Sequence, residues 1–236
     1  MDINIRSKGH FVESLRSIRT SLNFLLDQSK SDDNFKSFLI TSIHPGEGKT
    51  FTSINLARIL ASSGKSVLVV DFDLHKPKIH KVLELSNHIG TSKVLVDNLD
   101  FESSIITIEE NLNILASGPI PPNPSELVLS KNVDKLFEYA SLNFNYMIID
   151  TPPIGYITDA LVLSKKVNHS LFVMNVKYAN KKGIKFLEDI KERSSISSVG
   201  LILNNVKQKK WRYYYGKYGY GYGYGYGYGY GYFEEK

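Results

Sequence analysis

Residues 42–50 read Ser-Ile-His-Pro-Gly-Glu-Gly-Lys-Thr. Two glycines followed by a lysine and a hydroxyl residue suit a loop that holds an anion. Successive main-chain N–H groups in a glycine-containing turn form an anion nest, and a following helix adds its dipole. Gly46 and Gly48 permit close approach of the backbone to phosphates, so the expected ATP-contacting stretch is Gly46, Glu47, Gly48, Lys49, Thr50 and Phe51. In this pattern Lys49 reaches the β- and γ-phosphates and the Thr50 hydroxyl ligates Mg²⁺. The match to G-x-x-x-x-G-K-[ST] is imperfect, because Ile43 stands where the first glycine belongs. Gly-Lys-Thr alone marks a plain strand-to-helix turn as readily as a nucleotide site.

Carboxylates converge on the same place. One apolar run ends in Val69-Val70-Asp71-Phe72-Asp73, and a later one in Met147-Ile148-Ile149-Asp150-Thr151-Pro152-Pro153. A single carboxylate at a strand end is ordinarily a solvated turn residue. Three beside a phosphate loop repel one another, and Mg²⁺ is the natural cation to offset that repulsion. Thr50, Asp71, Asp73 and Asp150 are therefore the candidate metal-binding set. Lys49, Asp71, Asp73 and Asp150 are the candidate catalytic set. Asp71 or Asp73 can instead accept a proton from an attacking hydroxyl, and Asp71 is the preferred acceptor. The joint pattern specifies a Mg²⁺–nucleotide site.

The hydrophobic pattern shows which elements must carry these residues. Short β-rich runs recur at 37–43, 66–72, 112–116, 146–150, 170–176 and 199–204. Helix-length segments lie at 49–63, 133–142, 157–166 and 181–193. Continuous apolar strands separated by helices predict an α/β fold, a mostly parallel sheet covered on both faces. Such sheets bind ligands beyond the carboxyl ends of their strands, where the loop and the three aspartates fall. Asn204 ends the last apolar run, where a plain strand-end turn residue is one reading.

Three zones follow: an N-terminal helical arm at 1–34, the α/β domain at 35–206, and a low-complexity basic, Tyr-Gly-rich tail at 207–236. In the arm, Glu13, Arg16 and Arg19 lie along one side of a helix, and Leu15, Ile18, Leu22 and Leu25 form a separate apolar stripe. An isolated Glu-x-x-Arg-x-x-Arg is ordinarily a solvated face. Residues 213–232 of the tail comprise 11 tyrosines, 8 glycines and one lysine. The tyrosines are Tyr213, Tyr214, Tyr215, Tyr218, Tyr220, Tyr222, Tyr224, Tyr226, Tyr228, Tyr230 and Tyr232. No branched aliphatic residue is present to build a core, so the tail reads as disordered. Its competing reading is a sticky assembly segment, since alternation aligns the tyrosines on one face of a strand.

Pro-Gly-Glu-Gly-Lys-Thr, Asp-x-Asp and Ile-Ile-Asp-Thr-Pro-Pro together resemble the bacterial tyrosine kinases of capsule and exopolysaccharide export. These are P-loop enzymes related to the MinD-like partitioning ATPases. The partitioning ATPases carry an extra lysine early in the loop, where this chain has His44. The kinases usually have an arginine two residues after Asp-x-Asp, where this chain has His75 followed by Lys76. Nearly the whole chain is covered, including Pro121-Pro122-Asn123-Pro124-Ser125-Glu126-Leu127, in which Ser125 is a candidate helix N-cap. The resemblance implies ATP and Mg²⁺ as ligands, with Asn204 as an adenine contact by analogy with the related ATPases, its alternative being the plain strand-end turn. It implies a ring as well, usually an octamer, whose subunit contacts use Glu13, Arg16 and Arg19. It also implies phosphorylation of the tail tyrosines of one subunit by its neighbour. A membrane-embedded polysaccharide co-polymerase as activator, in cis or in trans, protein tyrosine substrates and a cognate tyrosine phosphatase complete the implied partners. The implied location is cytoplasmic, against the inner face of the cell membrane.

Composition narrows the alternatives. The chain has 236 residues and no cysteine, which excludes disulfides, zinc–thiolate sites, iron–sulfur clusters and thiol nucleophiles. No apolar run approaches the ~20 residues of a membrane span, and MDINIRSKGHFVES lacks the apolar stretch of a signal peptide. The net charge of +5 permits attraction to anionic surfaces. No nucleic-acid-binding motif accompanies it, so no nucleic-acid partner is expected. The leading reading is a Mg-ATP-dependent protein-tyrosine autokinase. Its rivals are an ATPase switch of the partitioning type that transfers phosphate only to water, and an assembly protein with a vestigial nucleotide site.

Overall fold

The computed structural model describes residues 9–27, 34–194, 196 and 198–207. Its strands are β1 Lys36–Ser42, β2 Val67–Asp71, β3 Ile106–Glu109, β4 Leu112–Leu115, β5 Tyr146–Asp150, β6 His169–Asn175 and β7 Val199–Asn204. They form one sheet in the order β3-β4-β2-β5-β1-β6-β7. Every neighbouring pair is parallel except β3 with β4. The mostly parallel α/β sheet expected from the apolar runs is what forms. Alternate strand residues feed two separate cores, Phe38, Ile40, Val67, Val69 and Ile148 on one face and Leu39, Leu68, Val70, Met147 and Ile149 on the other. Both faces are covered, so the strands are apolar throughout instead of alternating.

The helices are α1 His10–Asp27, α2 Lys49–Ala61, α3 Ile79–Val82, α4 Thr91–Asp97, α5 Phe101–Ser104, α6 Pro124–Val128, α7 Lys131–Asn143, α8 Asp159–Ser164 and α9 Lys181–Ser194. α1 lays Val12, Leu15 and Leu22 into the same core as Ile54, Leu56 and Ile59 of α2. With the sheet on one side and α1 on the other, α2 is buried at every position from Thr52 to Ala61. A helix enclosed in this way needs no polar stripe.

Three features differ from the pattern read in the sequence. β3 is a four-residue edge strand joined to β4 through Glu110 and Asn111, the latter at φ 63°. Its half-buried alternation is too short to register as a strand. The helices α3 to α6 span four to seven residues, below the length at which a 3.6-residue period becomes visible. Ser125 lies inside α6, with Asn123 at the N-cap position and Pro124 at the first turn. Proline's fixed φ suits that first position and sets the start of the helix two residues earlier than expected.

Contacts divide the chain after Asn205. The second unit is described only at Val206 and Lys207, so the tyrosine tail lies outside the described residues. Among the described residues no helix is long and apolar enough to cross a membrane.

Candidate active site

β1 lies between β5 and β6 and delivers the glycine loop to the carboxyl edge of the sheet, where α2 begins at Lys49. Gly48 has φ +98°, a conformation that side-chain-bearing residues rarely adopt. A Cβ there would also stand 2.1 Å from Asn204 Nδ2. That amide donates to the Glu47 carbonyl at 3.0 Å. The Glu47 carboxylate turns inward and is 1% exposed. It accepts from the N–H of His44 at 2.7 Å and from that of Asn175 at 3.3 Å. Glu47 and Asn204 thus hold the loop's own backbone, one from within and one from β7. Both are expected ATP contacts, and their side chains face the loop.

A cavity of about 360 Å³ lies over the loop, lined by Gly46, Gly48, Lys49, Thr50, Phe51 and Asp73, with Lys76, Lys78, Tyr156 and the Pro152–Pro153 pair around its rim. Register explains the aspartates beneath it. Asp71 ends β2 directly opposite Asp150 on β5, and Asp150 lies opposite Ile40 on β1. Lys49 Nζ reaches Asp73 at 2.9 Å and Asp150 at 3.9 Å. Thr50 donates its hydroxyl to Asp150 at 2.6 Å, and the Ser53 hydroxyl lies 3.1 Å from the other Asp150 oxygen. Asp71 accepts backbone N–H groups from Asp73 at 3.1 Å and Ile79 at 3.3 Å. The structure therefore brings Lys49, Thr50, Asp71, Asp73 and Asp150 into one cluster. Asp73 lines the cavity and Asp71 lies behind it.

Burial sets the electrostatics. Loss of water raises the Asp71 pKa, and repulsion from Asp150 and Asp73 raises it further, to about 8. Burial likewise raises Asp150, against the opposing pull of Lys49 and the Thr50 hydroxyl. Burial alone would lower Lys49, but the carboxylates of Asp150, Asp73 and Asp71 outweigh it and hold the ammonium above its ordinary value. The cluster thus sets three carboxyl groups against one ammonium, and a further cation would favour their ionised forms.

Thr50 and Asp150 offer hard oxygen donors side by side, which fits Mg²⁺. Among the described residues no three His, Cys, Asp or Glu side chains are placed to hold a metal ion alone. Asp71, Asp73 and Asp150 therefore do not form by themselves the three-carboxylate metal site expected from the sequence, whereas Mg²⁺ is typically held by one or two carboxylates with substrate phosphates and water.

His75 also lines the cavity, with Nε2 3.0 Å from the buried Asp159 carboxylate. Lys76 lines the cavity and anchors its own N–H on Asp73 at 3.0 Å. On α1, Arg16 pairs with Glu13 of the same helix. Arg19 lies near enough to Tyr146 to act on its phenol electrostatically. Ser53 was not among the residues expected here, although its position three after Thr50 on one helix places it on the same face. The Asp159 partner of His75 has no comparable signal in the sequence.

Residues 36–198 match the family model described as AAA domain, more than half of the chain. The tyrosine-protein kinase YwqD of Bacillus subtilis is 36% identical over 88% of this chain and 86% of its own length. Among solved structures, the chimerical protein CapA2B2 is similar with a TM-score of 0.79 and 36% identity, over 86% of this chain and 88% of that one. The kinase domain of the Escherichia coli tyrosine kinase ETK is similar with a TM-score of 0.77 and 30% identity, over 92% and 80%.

Proposed function

The chain belongs to the bacterial tyrosine kinases, P-loop enzymes with an AAA domain that phosphorylate protein tyrosine, and on that premise we propose that it phosphorylates the tail tyrosines of a neighbouring copy within a ring. The observation that carries the site assignment is the single buried cluster of Lys49, Thr50, Asp71, Asp73 and Asp150 at the mouth of the glycine loop.

Nucleotide phosphates would lie on the loop amides, and Lys49 would exchange its ion pair with Asp73 for the β- and γ-phosphates. Its ammonium, held in a site shielded from water, stabilises charge on the transferring phosphoryl group. Thr50 and Asp150 would hold Mg²⁺, which neutralises charge on the phosphates when bound. Asp71 would take the phenol proton once nucleotide draws Lys49 away from Asp73 and opens the cavity to the carboxylate behind it. Asp73, released by Lys49, would line the path of the incoming hydroxyl.

Glu13, Arg16 and Arg19 would form subunit contacts by exchanging the pair within α1 for pairs between copies. A membrane co-polymerase would act as activator and hold the ring at the inner face of the membrane. Each tail phosphate adds about −1.5 to −2 charges, so several together would loosen the ring. Control of capsule or exopolysaccharide export would follow from that cycle, with a phosphatase resetting it.

Mixing tests the transfer between copies. A chain lacking residues 213–232 is incubated with Mg-ATP and the intact-tail Lys49→Met chain. Phosphate on the Lys49→Met tail supports transfer between copies. Release of inorganic phosphate with no labelled tail contradicts it and favours the ATPase switch.

A further inference from the structure

Beside the nucleotide cavity lies a second, wider groove of about 690 Å³ that shares His75, Lys76, Lys78 and Val82 with it. His80, Lys81 and Ile120 extend its wall, and no carboxylate lines it. Lys76, Lys78 and Lys81 are exposed, and among the described residues none of the three ammonium groups has an ion-pair partner. Val82 and Ile120 add two large exposed apolar side chains, 44% and 62% accessible. A groove with three cations that lack an ion-pair partner among the described residues and two exposed apolar side chains fits an anionic peptide that also carries an aromatic ring.

The tail ends in such a segment next to a phenol, Tyr232-Phe233-Glu234-Glu235. In an extended peptide, residues two apart lie on one face about 7 Å from each other. With a phenol over Lys49, a peptide that runs across the wall shared by the two cavities brings the side chain two positions later to the adjoining groove. We propose that the groove takes an anionic side chain two positions after the acceptor tyrosine in a neighbouring copy's tail. Glu234 fills it for the first transfer, and each new phosphotyrosine fills it for the next. The inference rests on the kinase reading above and adds to it a rule for the order of sites.

Strict Tyr-Gly alternation from Tyr218 to Tyr232 keeps that two-residue spacing at every step. Phosphate on Tyr232 occupies the groove when Tyr230 is the acceptor, phosphate on Tyr230 when Tyr228 is, and so on. Each step breaks the bond between the γ-phosphorus and its bridging oxygen, forms one to the phenol oxygen and releases ADP, with the phenol proton passing to Asp71. A phosphotyrosine brings more charge than glutamate, so later steps proceed more readily than the first. The rule also sets a stop. Two positions after Tyr215 stands Lys217, and two after Tyr214 stands Gly216, so labelling runs from Tyr232 back to Tyr218 and fails beyond it.

The test uses the full chain, treated with phosphatase and then given Mg-ATP for increasing times. Trypsin cuts after Lys217, and tandem mass spectrometry places the phosphates on the released tail peptide. Singly phosphorylated peptide should carry its phosphate on Tyr232, and doubly phosphorylated peptide on Tyr230 and Tyr232. Lys81→Glu should slow the first phosphate about tenfold, as reversing one attractive charge contact does. Adding Glu234→Lys and Glu235→Lys to that variant should restore it. Singly phosphorylated peptide scattered over the repeat, or Lys81→Glu labelling at the wild-type rate and in the same order, overturns the proposal. So does loss of binding to phosphatidylserine vesicles in Lys81→Glu with labelling intact, which assigns the groove to a lipid surface. No phosphate on any wild-type tail contradicts the kinase reading itself, a result distinct from all of these.

Discussion

Among the described residues, two of the places where acidic and basic side chains meet behave differently from each other. At the carboxyl edge of the sheet, Asp71, Asp150, Asp73 and Lys49 are between 0% and 7% exposed, and three of the four have their pKa values moved. On α1, Glu13 and Arg16 form a pair whose side chains are 50% and 34% exposed. Water screens the second pair, which at a surface is worth about 0–1 kcal/mol. Removing water from the first cluster leaves each group's ionisation dependent on the others. The buried cluster is therefore suited to chemistry. The exposed pair can change partners at little cost, which suits an interface.

The largest break in this comparison comes from Lys49→Met. Removing the one ammonium from the buried cluster should lower tail labelling about a thousandfold or more, read as phosphate per chain over time. The thermal midpoint, measured alongside, should still report a folded protein.

Asp71→Asn should lower the transfer rate about 10²- to 10⁴-fold, the range of a lost general base. Asp73→Asn should cost less, because Asp73 serves mainly to hold Lys49 until nucleotide arrives. Equal losses would contradict the assignment of the base. Asp71 also predicts how stability follows pH. Its pKa rises from the ordinary 3.8 to about 8 on folding, so between those values the folded chain keeps a proton that the unfolded chain has released. This group's contribution is full below 3.8 and is lost as pH rises toward 8. Asp150 acts in the same direction, and the raised Lys49 acts only above 10.5. The nucleotide-free midpoint should fall between pH 5 and pH 8, a window inside that range. The fall should be shallower in Asp71→Asn.

How far the sequence disclosed this centre depended on the kind of signal. The loop, both acidic strand ends and six of the seven strands announce themselves, because parallel strands are continuous apolar runs and their carboxyl ends share one edge. The inward turn of the Glu47 carboxylate does not. Its partners, the N–H groups of His44 and Asn175, are backbone atoms brought together by the β1–β6 pairing. The Asp159 partner of His75 likewise comes from a different strand connection. Short helices such as α3, which carries His80 and Lys81 into the basic groove, leave no period to read.

Glu47→Ala should have a smaller effect than either cluster variant. It strands two backbone N–H groups at roughly 1–3 kcal/mol each and loosens the loop, so KM for ATP should rise about tenfold with kcat less affected. Glu47→Gln, which keeps one acceptor oxygen, should recover part of the loss. The smallest effect on folding belongs to the exposed pair. Glu13→Ala should change stability by no more than about 0.5 kcal/mol, yet reduce the sedimenting species from a ring toward single copies. A ring that survives Glu13→Ala places the subunit contacts elsewhere.

The most direct test of the central claim is the intact mass of the phosphatase-treated chain before and after Mg-ATP. A ladder of added phosphates confined to residues 213–232 is the expected result. An unchanged mass with ATP consumed to ADP and inorganic phosphate, with the membrane activator present, would contradict the account.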